Sequence, residues 1–250
     1  MRTWAILVVM LSLCCELPAQ GFDWQPSPRR PYQAPTSFIG LDAAIGLAGH
    51  SGNLPYLEAD IANPCCSYER GSGVPIRFGL AAEFWVAPTR AVGLEVGLLT
   101  HSVAFTAPEQ SLVRAGKDPL VTRYELSVAT SHMTIGASLR QRLGSSMFIA
   151  AAGLRGGVLL SAAMTNREVI VGAGTFASGT TVEDLPATGI ADASGVYFEP
   201  YVSLGYDLPL STGYYLQPSV MIGYTASSLS SLHPWHATTV GLGLRVMKGR

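Results

Sequence analysis

The chain has 250 residues, 48% of them hydrophobic and only 13% charged, with a mean hydropathy of +0.29. That is too apolar and too charge-poor for an ordinary soluble domain, so part of its surface is expected to meet lipid. A formal net charge of -1 leaves no basic footprint for nucleic acid, and no segment after residue 20 reads as a membrane-spanning helix, since the nearest candidate, residues 147–164, carries Arg155 near its middle.

Residues 1–20 open on Arg2, run apolar from Ala5 to Leu13 and close on Leu17-Pro18-Ala19-Gln20, the layout of a cleaved secretory signal. An uncleaved anchor helix is the alternative, but the apolar run is shorter than the roughly 20 residues a span needs. Leu13 before Cys14 argues against lipid acylation there. Residues 21–36 carry Pro26, Pro28, Pro31 and Pro35 without periodicity and read as an extended linker to a folded part at 37–247.

From Ser37 onward apolar residues alternate with small or polar ones, the period of a strand with two unlike faces, and eight such runs follow. The first puts Ile39, Leu41, Ile45 and Leu47 on one face and Asp42 on the other. In the second, residues 74–86, Ile76, Phe78, Leu80 and Phe84 oppose Arg77, Glu83 and Trp85, and in the third, residues 91–105, Val92 to Leu98 oppose Glu95 and its glycine neighbours. The fourth, residues 121–143, changes phase between Tyr124, Leu126, Val128 and then Met133, Ile135, Leu139, which one extra residue near Ser131 reconciles as a β-bulge. The fifth covers residues 147–164 with Arg155 on its polar face. The sixth (196–208), seventh (from Tyr214 to Tyr224) and eighth (235–247) repeat the pattern, with Glu199, Asp207 and Arg245 on their polar faces.

Charge decides which face meets lipid. Asp42, Arg77, Glu83, Glu95, Arg123, Glu125, Arg140, Arg155, Glu199, Asp207 and Arg245 all take the face otherwise filled by Gly, Ala and Ser. A soluble sandwich would place charge on an open surface, whereas small residues between charges suit a crowded lumen. The connections alternate in length: 87–90, 144–146 and 209–213 are short, while 51–73, 106–120, 165–195 and 225–234 are long, the known pattern of short periplasmic turns and long external loops. Phe84, Phe148, Tyr206 and Tyr214 are placed facing lipid beside the short turns, and Tyr124, Phe198 and Tyr224 beside the long loops, as two interfacial girdles. The fold class is therefore all-β, an eight-stranded antiparallel up-and-down transmembrane barrel.

Eight strands enclose a space just wide enough for side chains. Asp42, Arg77, Glu83, Glu95, Glu125, Arg140, Arg155, Glu199 and Arg245 are read as an ion network that plugs it, because unpaired charge there is costly; charges resting in trapped water are the alternative. No residue set specifies a reaction, so no enzymatic activity is expected, and no cofactor or metal is implied. His50-Ser51 and His101-Ser102 put a base beside a hydroxyl, but neighbours on a strand point to opposite faces. His101, His132 and Glu125 converging is the one catalytic arrangement to test. Cys65 and Cys66 are adjacent in a long loop and read as a local disulfide clasp, with pairing to another chain or a metal left open.

Segments such as Ser138-Leu139-Arg140-Gln141-Arg142-Leu143-Gly144 and Gly205-Tyr206-Asp207-Leu208-Pro209-Leu210 look like barrel strands running into tight turns. In these the chain resembles the OmpA-type and PorT-like outer-membrane barrels of Bacteroidetes and related bacteria, over about residues 37–246, and the Asn63-Pro64-Cys65-Cys66 loop resembles some members. The resemblance implies a monomer in outer-membrane lipid with a structural or surface-interaction role, and an extracellular ligand or protein at the long loops. A small-molecule or lipid carrier and a lipid-modifying enzyme are the alternatives. The ending Val246-Met247-Lys248-Gly249-Arg250 lacks the terminal aromatic of many such barrels.

Overall fold

The computed structural model describes residues 36–55, 67–112, 120–144, 146–176, 178–184, 188–189, 193–211 and 213–249. The signal segment, the Pro-rich linker and the Cys65 and Cys66 clasp expected from sequence lie outside these residues. Twelve strands are present among them: β1 (Ser37–Pro55), β2 (Ser67–Ala87), β3 (Arg90–Thr106), β4 (Gln110–Leu112), β5 (Leu120–Arg142), β6 (Phe148–Ile170), β7 (Val182–Asp184), β8 (Thr188–Gly189), β9 (Val196–Tyr206), β10 (Leu208–Ser211), β11 (Tyr214–Tyr224) and β12 (Trp235–Gly249).

Eight of them close a ring in the order β1, β2, β3, β5, β6, β9, β11, β12 and back to β1, every pairing antiparallel. Closure leaves these strands no free edge, so each ladder hydrogen bond is satisfied without water, which is what a sheet in lipid requires. The period-2 pattern then sorts the side chains. Ile39, Leu41, Ile45, Phe78, Leu80, Leu98, Ile135, Leu154, Val202, Ile222 and Leu242 stand exposed on the outer wall, while Asp42, Arg77, Glu83, Glu95, Arg140, Arg155, Glu199 and Arg245 are buried inside. An exposed apolar belt around a polar interior reverses the arrangement of a soluble domain.

Two expectations for the fourth run are corrected. β5 holds one phase along its whole length, with Leu126, Val128, His132 and Thr134 all buried. The register shift between Ser131 and His132 instead skips Leu160 of β6, since Ser131 pairs with Ser161 and His132 with Leu159. The bulge sits in the neighbouring strand. What changes near Ser131 is the surroundings: β5 leaves the apolar belt there, so its outer face turns polar and its inner face turns apolar.

The inside is layered. At the short-turn end Phe38, Ala81, Tyr215 and Met247 form a small plate with Trp85 against it. The charged layer lies above the plate. At the long-loop end Leu54, Tyr68, Leu99, Val103, Phe105, Leu126, Val128, Met164, Tyr197, Leu229 and Trp235 pack into an apolar cap. Tyr124 packs against this cap and donates its hydroxyl to Glu168 at 3.1 Å, so it belongs to the interior and not to the outer girdle. Burial, reinforced by Tyr124, pushes the Tyr68 phenol in the cap above its ordinary pKa.

Candidate functional site

Glu95 is the hub of the lumen. It takes Arg77 at 2.8 Å, Arg155 at 2.8 Å and Arg245 at 2.9 Å. Each arginine then reaches a second acid: Arg77 and Arg245 meet Asp42 at 3.0 and 2.7 Å, and Arg155 meets Glu199 at 3.0 Å. Tyr197 donates its hydroxyl to Glu199. Below this layer Arg140 reaches Glu83 at 3.1 Å, and Glu83, fully buried, also accepts from the Tyr215 hydroxyl at 2.6 Å. Arg140 donates to Gln217, Gln217 donates to Asp207 at 2.6 Å, and Arg142 meets Asp207 at 3.2 Å.

The register is what brings these groups together. In an antiparallel barrel every second residue of each strand points inward, and the eight strands set their inward residues at staggered heights. Gly79 of β2 pairs with Gly97 of β3, which keeps the wall thin beside the hub. Gly136 and Gly223 make room at closer range. A Cβ on Gly136 would stand 2.7 Å from the Glu95 carboxylate, and one on Gly223 would collide with that of Glu199. Small residues on the polar face are thus the counterpart of long charged ones across the lumen.

Five carboxylates (Asp42, Glu83, Glu95, Glu199, Asp207) face five guanidiniums (Arg77, Arg140, Arg142, Arg155, Arg245) in this interior. Desolvating two charges costs several kcal/mol each, and only shared, multiply bonded geometry offsets it. Here the carboxylate of Glu95 serves three cations and each of Arg77, Arg155 and Arg245 bridges at least two acids. Glu125 is not among them. It stands half-exposed at the long-loop rim and pairs with Arg123 at 3.0 Å, which also approaches Glu109 at 3.9 Å, because β5 keeps one phase and Glu125 therefore faces outward. Arg142, Tyr197, Tyr215 and Gln217 join the cluster without having been singled out from sequence. Arg142 shares the parity of Arg140, so its place was readable; the other three carry no formal charge to mark them.

Between the charged layer and the cap runs a row of rings. Trp235 donates its indole N–H to Nδ1 of His50 at 3.0 Å. His50 and His101 have ring centroids 6.1 Å apart, His101 and His132 6.3 Å, and His132 and Tyr197 5.4 Å. Both ring nitrogens of His101 are buried without a hydrogen-bond partner among the described residues. A cavity of about 20 Å³, the size of one water molecule, lies against His101, Arg77, Arg155, Glu199 and Met221. Ser102 faces away from His101, and Glu125 is at the rim, so the His101, His132 and Glu125 arrangement does not assemble. Among the described residues no three His, Cys, Asp or Glu side chains are placed to hold a metal ion.

The outer wall keeps Phe84, Phe148 and Tyr214 exposed at the short-turn end, with Tyr206 stacked edge-on to Phe148 at 4.9 Å, and Phe198 and Tyr224 exposed toward the long-loop end. A closed antiparallel ring with an apolar exterior and a charged interior is now complete. The fold is that of an outer-membrane β-barrel.

No family model matches the sequence, nor does any curated protein. The barrel is similar to solved structures: Ail, the attachment invasion locus protein of Yersinia pestis (10% identity, 84% of this chain and 98% of that chain, TM-score 0.33), the outer membrane protease OmpT from Escherichia coli (10%, 86% and 96%, TM-score 0.37), and Neisserial surface protein A (12%, 84% and 96%, TM-score 0.32). One expectation is corrected by this. A protease stands among the similar barrels, and the expectation that the chain is not an enzyme is not upheld.

Proposed function

We propose that the chain is an exported barrel of the bacterial outer membrane, delivered by its N-terminal signal, closed to diffusion by its own side chains, and acting at the surface through its long connections. The single observation that supports closure is the Glu95 hub, where three arginines converge from β2, β6 and β12 and cross the lumen. A surface-interaction role follows from where the chain invests its length: the short turns form one rim, while β4, β7, β8 and the longer connections gather at the other. Loops on a rigid scaffold are where recognition concentrates. The narrower kinship with OmpA-type and PorT-like barrels rests on the alternation and the turn-adjacent segments alone.

The test is single-channel recording of refolded protein in a planar bilayer. Wild type is expected to give no large, stable conductance. A stable wild-type conductance of porin size rejects the plug and favours a carrier or channel.

A further inference from the structure

Trp235 begins β12, where its backbone pairs with Gly52 of β1, and its indole turns into the barrel with 2% of its surface exposed. An indole nitrogen only donates. Because it donates to Nδ1 of His50, that nitrogen carries a lone pair, and His50 is the neutral tautomer with its hydrogen on Nε2. His50 Nε2 is itself buried without a partner among the described residues. Adding a proton to His50 puts a hydrogen on Nδ1, so two N–H groups would face each other and the bond could not survive.

Among the described residues no carboxylate is paired with His50 to compensate an imidazolium. β3 presents His101 and Phe105, each with its ring centroid 6.1 Å away. Beyond them come Tyr68 of β2 against Phe105, His132 of β5 against His101, and Tyr197 of β9 against His132. The charged groups nearest this row line the small cavity under His101: Arg77 of β2, Arg155 of β6 and Glu199 of β9. Glu199 is already held by Arg155 and Tyr197. His236 of β12 turns away to stack on Tyr224, and His233 is held by its main chain to Ser228 and Ser230.

The bond also fastens a cap. The connection between β11 and β12 folds inward, with Leu229 and Ser230 buried, Leu229 N–H bonded to the Trp235 carbonyl at 2.8 Å and Trp235 N–H bonded to Ser228 at 3.1 Å. We propose that the Trp235–His50 hydrogen bond is an acid-released latch, in which protonation of His50 frees the indole and loosens the cap that residues 225–235 form over the long-loop end of the lumen. The sign follows from the tautomer. Burial lowers the His50 pKa to about 4, so the latch weakens as the pH falls below the ordinary imidazole value of about 6.5 and is lost as it falls through about 4.

The experiment uses the full chain, refolded in detergent micelles, with Trp4→Phe, Trp24→Phe and Trp85→Phe so that Trp235 is the sole tryptophan. Collisional quenching by acrylamide reports its exposure, and heat-modifiable gel mobility reports that the barrel stays closed. The quenching constant is expected to rise about threefold between about pH 7.5 and about pH 3.5 and to return on neutralisation. His50→Gln keeps an acceptor that does not titrate and is expected to stay low throughout, whereas His50→Leu is expected to quench strongly already at neutral pH. A flat parent profile, or a His50→Gln profile that rises as the parent does, overturns the latch. Should His50→Leu fail to fold, the comparison of His50→Gln with the parent still decides.

Discussion

Glu95 concentrates the consequences of burial in one carboxylate. Glu95→Gln leaves Arg77, Arg155 and Arg245 with only Asp42 and Glu199 in close contact, one negative charge short, and is expected to cost about 3–5 kcal/mol, measured as a lowered urea midpoint for barrel unfolding in micelles or vesicles. Adding Arg155→Met to Glu95→Gln removes one of the stranded charges and is expected to recover part of that loss. A double variant less stable than the single would show that the charges are not coupled as described. Gly223→Ala makes the complementary point from the wall. The added methyl meets the Glu199 carboxylate, so the Arg155 to Glu199 contact must open and the same unfolding midpoint must fall. Of these residues, the charged ones were readable in sequence by their parity, and Gly223 by its place on the polar face, but not the pairing of Glu95 with three cations.

At the scale of the strand, β5 and β6 show how one pattern can carry two meanings. By sequence pattern alone Leu126 and Val128 face lipid, because apolar residues face lipid lower in the same strand. They pack the cap instead, since outside the belt the exterior is water and the hydrophobic effect points inward. The bulge that does exist, at Leu160 of β6, flips the parity of everything beyond it, so that Met164, Asn166 and Ile170 face inward with Ile149, Ala151 and Arg155. Deleting Leu160 is expected to remove the bulge and leave Met164 and Ile170 facing inward, because Leu159 and Ser161 then follow each other as regular partners of His132 and Ser131. The check is unchanged protection from proteolysis at the long-loop end, and a loss of protection there would show that the cap depends on the bulge itself.

For the molecule as a whole, the controlling quantity is the match between the apolar belt and the bilayer. Leu80 stands on the outer wall between Leu41 and Val96 of the adjoining strands, well inside the belt, and Leu80→Lys is expected to cost about 2–4 kcal/mol in vesicles. Ser102 faces outward on β3 beyond Leu98, where the wall has turned polar, so Ser102→Lys is expected to cost about 1 kcal/mol or less. Unfolding titrations of the two variants in the same lipid separate them; equal costs would place the belt elsewhere.

The sequence by itself determined the eight strands, their short and long connections and the face of each that turns inward within the belt, because side-chain direction in a strand is a local property with a period of two residues. Only the closed ring decided which inward residues meet, since Asp42, Glu95, Arg155 and Arg245 come from four strands and their contact depends on register around the whole cylinder. It also decided where the barrel leaves lipid, and with that which residues form the cap, because polarity is judged against the surrounding medium and no local run of residues records what that medium is.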